Sequence, residues 1–346
     1  MLVRFSILKD QGGREYTRKG WIYSAEEHGI DRSRVDPDAV RLIKRLRQGG
    51  FQGYVVGGAV RDLLVGIAPK DYDIATNAHP NAVRKLFRSA RVIGRRFRLV
   101  HVYPRHDKCL EVATFRAGGD AGDSAYGTMA EDAWRRDFTC NALYYCPIKE
   151  QIIDYVGGVK DIRARRMRTI APEHESFGED PVRIIRAVKH AQIVGLRIPF
   201  GMRRSIRRQR RGLIDCSPQR VTEELYKILR CGRSRAVLRE SYRLGVLEPI
   251  LPVLHRSLAG NRARERRVWE RLQEIDTLTA KEGAAEAPTG RLLVALLSEC
   301  VPPEATTTRA VAESLRQAAA PLIPSNNDLR VAAATMARRS GATARL

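Results

Sequence analysis

The stretch Tyr54-Val55-Val56-Gly57-Gly58-Ala59-Val60-Arg61-Asp62, followed by Lys70-Asp71-Tyr72-Asp73-Ile74, decides the reading of this chain. An apolar run of strand length ends in two glycines, and a helical pattern begins. Glycines let a backbone come close to a phosphate, and the unpaired N–H groups of a helix start favour an anion. Arg61, one turn in, adds a charged fork. Alone, a pair of glycines more often marks an ordinary tight turn. The second segment changes that balance, because residues i and i+2 of a strand share a face. Asp71 and Asp73 then present two carboxylates side by side, which repel unless a cation lies between them. Magnesium takes carboxylate and phosphate oxygens, and paired metals drive phosphoryl and nucleotidyl transfer.

Working outward, Leu110-Glu111-Val112-Ala113-Thr114-Phe115 sets one acid in an apolar, β-rich run, and Glu111 is a candidate third carboxylate. Read alone, it is an outward-facing strand residue. In Arg135-Arg136-Asp137-Phe138-Thr139-Cys140-Asn141-Ala142-Leu143, helical spacing sets Arg136, Asp137 and Asn141 on one face. Cation, acceptor and amide together suit a triphosphate and a ribose; the plainer alternative is an intrahelical ion-paired face. In Glu179-Asp180-Pro181-Val182-Arg183-Ile184-Ile185-Arg186, Pro181 suits a first helical turn with Asp180 as its cap. Asp180, Arg183 and Arg186 project from one side, and Asp and Arg can read the hydrogen-bonding edge of a base.

Around these segments the chain divides in two. Residues 1–35 are polar, without a sustained apolar period, and are expected to form a partly ordered arm. A helix opens at Asp36-Pro37. Between 36 and 160, expected strands at 53–56, 72–75, 98–103, 110–115 and 152–155 alternate with helices at 58–66, 80–88 and 136–143, an α+β head. From 161 long helical periods take over at 181–195, 199–211 and 218–229, most opened by Pro or closed by Gly. A helical neck is expected at 161–230 and a helical body at 231–346. Residues 277–289 read as a loose connection, and the Ala- and Arg-rich segment from about 305 reads as a partly mobile tail.

The chain of 346 residues carries 62 Lys and Arg against 39 Asp and Glu, a formal charge of +23. Such an excess points to a polyanionic partner, nucleic acid before membrane surface. Arg203, Arg204, Arg207, Arg208, Arg210 and Arg211 recur at helical spacing as a basic stripe suited to RNA phosphates. No apolar run is long enough to cross a bilayer, and no leader is read at the N-terminus. The six cysteines show no metal or disulfide spacing, which fits a reducing, cytoplasmic setting. His106-Asp107 looks like half of a metal-phosphohydrolase dyad, but the partner residues are not apparent and a loop is the simpler reading. Trp21, Trp134 and Trp269 are read as packing residues.

Together, Gly57-Gly58, Arg61-Asp62, Asp71-x-Asp73, Glu111 in E-V-A-T-F-R, R-R-D-F-T-x-N-A-L and E-D-P-V-R resemble the class II nucleotidyltransferases over roughly residues 35–230. That family holds bacterial poly(A) polymerases and tRNA CCA-adding enzymes. The stretch Val92-Ile93-Gly94-Arg95-Arg96-Phe97-Arg98-Leu99-Val100-His101-Val102 is similar to a signature of the bacterial poly(A) polymerases. The resemblance implies a polymerase β-like head with a mixed sheet, followed by a helical neck and body. It implies template-independent addition of AMP from ATP to RNA 3′ ends with two Mg²⁺ ions, Mn²⁺ as a substitute being open. A tRNA CCA-adding enzyme and a catalytically idle RNA-binding protein are the alternatives.

By the same resemblance, Asp71 and Asp73 match the metal-binding pair, and either Glu111 or Asp137 completes the catalytic set. Gly57, Gly58 and Arg61 meet the triphosphate. Arg136, Asn141, Asp180, Arg183, Arg186 and Arg220 contact the nucleotide, with Gln219 beside Arg220 departing from the usual residue. Further departures are a short segment at 117–128 and a chain that ends soon after the body.

Overall fold

The computed structural model describes residues 2–9, 15–94, 99–105, 107–117, 125–282 and 289–339. The chain forms two compact units, 1–171 and 172–346. The boundary therefore lies after Ala171 rather than at 160/161, because β-bridge residue Thr169 pairs back onto Phe138 in the first unit.

Among the described residues the first unit holds nine strands: β1 (Leu2–Lys9), β2 (Glu15–Tyr23), β3 (Tyr54–Val56), β4 (Asp73–Thr76), β5 (Ala90–Ile93), β6 (Leu99–Arg105), β7 (Lys108–Thr114), β8 (Leu143–Cys146) and β9 (Gln151–Asp154). They form one mixed sheet in the order β1-β2-β9-β8-β3-β4-β7-β6-β5. Its helices are α1 (Ala25–His28), α2 (Pro37–Gln48), α3 (Gly58–Leu64), α4 (Pro80–Leu86), α5 (Met129–Trp134) and α6 (Gly158–Arg163). β3 is buried along its length, as its unbroken Tyr-Val-Val run demands of a central strand. It pairs antiparallel with β4 and β8, whereas β4 and β7 run parallel. Tyr54, Phe115 and Tyr144 meet with ring centroids 6.1–6.4 Å apart in the core beneath β3. They are large, rigid apolar bodies that hold the central strands in place.

Two expectations for this unit are overturned. Residues 2–9 and 15–23 are strands rather than a separate arm: β2 joins the sheet through Trp21–Tyr23 paired with Ile152–Asp154. The expected helix at 136–143 is a single 3₁₀ turn, Thr139–Asn141, running into β8. Tertiary bonds override the helical spacing there. The Thr139 hydroxyl donates to Asp161 at 2.7 Å, and its N–H donates to the Arg168 carbonyl at 3.1 Å. The β-prone Tyr144 and Tyr145 then continue as a fully buried strand.

The second unit is helical: α7 (Glu173–Glu179), α8 (Val182–Val194), α9 (Phe200–Gln209), α10 (Pro218–Leu229), α11 (Ser234–Arg243), α12 (Leu247–Ile250), α13 (Pro252–Leu258), α14 (Arg262–Glu282), α15 (Thr289–Leu297), α16 (Thr308–Ala319) and α17 (Asn326–Arg339). No division falls at 230/231, since α11 packs on α8, α10 and α14 alike. α14 continues through the expected loose connection as far as Glu282. The expected tail from 305 forms α16 and α17, whose Val311, Leu315, Leu329, Ala332 and Ala333 are buried. No helix among the described residues is long and apolar enough to cross a membrane.

Between α8 and α10 lies a buried ion pair, Lys189 to Glu224, with Lys227 3.2 Å from the same carboxylate. Burial pulls the Lys189 ammonium below its usual range, and Glu224 offsets part of that effect. Lys189→Met leaves Glu224 buried without its closest cation, with the more exposed Lys227 and the charge of Arg186 as partial replacements, and roughly 3 kcal/mol of stability should be lost in urea unfolding. Lys189→Met/Glu224→Leu should recover most of it.

In the first unit, Gly158 opens α6 against the 3₁₀ turn. A Cβ there would lie 2.1 Å from the Thr139 carbonyl oxygen, with no flexible side chain to yield. Gly158→Ala should cost about 3 kcal/mol in urea unfolding and shift the backbone that carries Asn141.

Candidate active site

β4 places the first carboxylates. Tyr72 is buried and donates its hydroxyl to the Arg34 carbonyl at 3.0 Å, so alternation turns Asp71 and Asp73 to the opposite, open side. In the register, Asp73 sits between Val56 of β3 and Glu111 of β7. Strand partners share a face, so Asp73 and Glu111 stand side by side on neighbouring strands. Solvent reaches Asp73 from this side, while protein hems it in on the others. Its carboxyl is pushed up to about 6, first by desolvation and then by Glu111, with Asp71 adding to the rise and Arg136 opposing it. The charges of Asp71, just before β4, and of Glu111, midway along β7, thus both act on Asp73 at the start of β4.

Gly57 closes the site from the β3 side. Its φ of 71° lies where only glycine is at ease. A Cβ built there would come within 3.7 Å of the Arg136 guanidinium and 4.0 Å of Asp73 Oδ2. The backbone at Gly57 is therefore open to close approach, with a cation and a carboxylate in reach. Gly58 begins α3, packed against the Arg61 guanidinium.

Behind this opening run two buried networks. In the first, Arg61 Nε and Nη2 bond Asp62 at 2.9 and 2.7 Å, while Nη1 donates to Asn141 Oδ1 at 2.7 Å. Asn141 Nδ2 donates in turn to Asp137 Oδ1 at 3.3 Å, which also accepts the Phe138 N–H at 2.8 Å. In the second, Arg136 bonds Asp132 through Nε and Nη2 at 3.2 and 2.9 Å, and the Tyr144 hydroxyl donates to the same carboxylate at 2.7 Å. Burial opposes ionisation of Asp132, yet Arg136, Tyr144 and Arg135 hold its carboxyl below the ordinary range. Asp132 and Tyr144 were not legible as site residues; the only hint was an acid four residues before an arginine. His101 was also missed. It is the cross-strand partner of Glu111 and lies 3.5 Å from it.

Of the acids offered as the third of a set, Glu111 stands beside Asp73, whereas Asp137 is bonded to Asn141. Among the described residues no three His, Cys, Asp or Glu side chains form a ready metal cage. The donors still fit magnesium, which takes one or two carboxylates and leaves its other positions to water and phosphate. Asp73, raised by like charges, is the kind of carboxyl a cation would relieve.

The remaining expected residues lie in the second unit. Asp180 Oδ2 accepts from Arg220 at 2.8 Å, and its Oδ1 accepts the Val182 N–H at 3.3 Å. Arg183 donates to Glu179 at 2.6 Å. Arg186 is half-buried on α8, and its charge acts on the Lys189–Glu224 pair. A cavity of about 370 Å³ adjoins this loop, lined in part by Phe177, Pro181 and Cys216. The basic stripe is narrower than expected. Arg203 is paired with Glu240 and Arg210 with Glu248, while Arg204, Arg207, Arg208 and Arg211 are exposed without an ion pair among the described residues. Arg95 to Arg98 and His106 lie outside the described residues, as do 118–124.

The sequence matches a family model described as the poly A polymerase head domain over residues 53–168. A second model, described as the probable RNA and SrmB-binding site of polymerase A, matches residues 195–258. Poly(A) polymerase I of Escherichia coli is 37% identical over 275 residues, covering 74% of this chain and 59% of the relative. The chain thus spans about three fifths of that relative's length. The structure resembles the Bacillus stearothermophilus CCA-adding enzyme in complex with CTP, with a TM-score of 0.59, 25% identity, and coverage of 88% of this chain and 82% of that one. It also resembles a tRNA nucleotidyltransferase complexed with a primer tRNA and an incoming ATP analog, with a TM-score of 0.60, 25% identity, and coverage of 87% and 84%.

The Asp73 carboxyl sets a pH signature. With its value at about 6 against 3.8 in the unfolded chain, the folded state holds this proton more tightly. Stability contributed by Asp73 is therefore full below the unfolded value and falls as pH rises toward 6. In cation-free buffer, Asp73→Asn should melt above the parent at pH 7.5, with the gap closing near pH 4.

Proposed function

We propose that this chain, which belongs to the family of poly(A) polymerases and tRNA CCA-adding nucleotidyltransferases, adds AMP from ATP to RNA 3′ ends without a template. The observation that supports it is the register that sets Asp73 beside Glu111, next to the open backbone at Gly57. Asp71, Asp73 and Glu111 would hold Mg²⁺. When bound, magnesium supplies a more acidic 3′-hydroxyl and charge neutralisation at the leaving pyrophosphate.

The residues of the chain account for the rest. The Gly57–Gly58 backbone receives the triphosphate, and Arg136 brings positive charge to it without losing its anchor on Asp132. The RNA 3′-oxygen attacks the α-phosphorus in line, its proton passes to solvent water, and the bond to the leaving pyrophosphate breaks. Arg61, Asn141 and Asp137 form a relay of fixed hydrogen bonds whose rigidity preserves the orientation of the bound nucleotide. Base choice falls to Asp180 and Arg183, with Arg220 orienting the Asp180 carboxylate and Arg186 on the same helix as a further contact. Arg204, Arg207, Arg208 and Arg211 would hold RNA phosphates, with Arg203 and Arg210 fixing that helix through their glutamates. A cytoplasmic site of action fits the six free cysteines.

A second reading, CCA addition to tRNA, draws on the CCA-adding enzyme, of whose chain this one covers 82%. Purified protein, Mg²⁺ and single nucleotides offered with a generic RNA and with a tRNA lacking its terminus separate the two. Long tails from ATP alone are expected, and two C followed by one A on the tRNA would favour the second reading. Asp71→Ala and Asp73→Ala, still folded, should lose at least about a thousandfold in rate. Parental extension by either variant would refute the assignment.

A further inference from the structure

The outer ribbon of the sheet presents a face that the site does not use. β1 pairs with β2 along its length, but only Trp21–Tyr23 of β2 continue onto β9. Partners across an antiparallel pair share a face, so the register sorts the side chains. Arg4, Ser6, Arg18, Gly20 and Ile22 take the head side. Ser6 Oγ lies 3.2 Å from the Tyr155 hydroxyl, Arg18 stacks 4.0 Å over Trp134, and a Cβ on Gly20 would meet the Tyr155 ring at 2.8 Å. Val3, Phe5, Thr17, Lys19 and Trp21 take the other side, with Val3 opposite Trp21 and Phe5 opposite Lys19.

That outward side is aromatic and basic. Phe5 is 67% exposed and Val3 39%. Lys19 Nζ lies 5.9 Å from the centre of the half-buried Trp21 ring. Residues 2–6 and 17–23 contain Arg4, Arg18 and Lys19 and no acid. An edge strand that keeps Phe5 and Val3 in water invites aggregation unless something covers it. Trp21, expected from sequence to pack, is only half-buried. The ribbon also lies outside both matched family regions.

We propose that the outward face of the β1–β2 ribbon is a stacking platform for single-stranded RNA, with bases on Phe5 and Trp21 and a phosphate at Lys19. It rests on the reading that RNA is the substrate. The charge decides for this occupant: a cation beside two aromatic rings, with the single acid of the two strands, Glu15, set at the far end opposite Lys9, suits a polyanion whose bases stack on any ring. A second copy of the ribbon would bring these cations against each other.

The test uses the full chain, a fluorescent oligoadenylate and Mg²⁺ without ATP, read by anisotropy. Phe5→Ala should weaken binding about tenfold, a typical loss for one stacked base. Phe5→Tyr should bind as the parent does, and Phe5→Leu as weakly as Phe5→Ala. Lys19→Gln should reduce the salt slope by about 0.7. Because Phe5 is exposed, all variants should melt with the parent. The proposal is overturned if Phe5→Leu binds like the parent, if the parent itself binds no RNA, or if sedimentation shows a parental dimer that Phe5→Ala splits. Failure of the polymerase reading is seen separately, as bound RNA that the parent does not extend.

Discussion

Two carboxylates on adjacent strands, Asp73 of β4 and Glu111 of β7, are held in register by backbone hydrogen bonds that neither side chain controls. Desolvation first, and the Glu111 charge beside it second, push the Asp73 carboxyl up to about 6. Everything else in the head follows from keeping that pair where it is. β3 must be apolar on both faces to run beside β4 through the core. Gly57 must be glycine, because its backbone turns at a φ of 71° that a side chain would strain. Tyr72 must be buried so that Asp71 and Asp73 turn outward together.

The buried networks behind the pair serve a related end. Arg136 keeps its charge in a largely dry setting because Asp132 and Tyr144 bond it. Arg61 is similarly committed to Asp62 and Asn141. Such groups are fixed before any ligand arrives, and fixed dipoles and charges need no reorganisation during reaction. In the second unit Asp180 and Arg220, and Arg183 and Glu179, are likewise paired in advance. The proposed nucleotide contacts are thus largely paired beforehand, whereas Arg204, Arg207 and Arg208 of α9 and Arg211 just beyond it are exposed without an ion pair among the described residues.

Much of this was legible from residue order. The strand, glycine pair and helix at 54–64 and the Asp71–Asp73 alternation were visible because period-two patterns and glycine punctuation are local. The helices opened by Pro218 and by Pro199 were visible for the same reason. What failed was non-local. The segment at 136–143 has helical spacing, but Thr139 is drawn to Asp161 and Arg168, and no local pattern records that. β1 and β2 looked like an arm because their alternation places cations on the inner side. Arg18 is accepted there with Trp134 lying under it. The paired state of Arg203 and Arg210 likewise depends on Glu240 and Glu248, far along the chain. His101 was invisible as a site residue because its relation to Glu111 is a matter of cross-strand register.

The central claim is that Asp73 carries a displaced proton affinity which a divalent cation relieves. Its carboxyl can be titrated directly by ¹³C NMR in aspartate-labelled protein, first without and then with Mg²⁺. The expected value is about 6 without the cation, falling clearly when it is added. A value at the ordinary aspartate position of about 3.9, indifferent to Mg²⁺, would contradict the account.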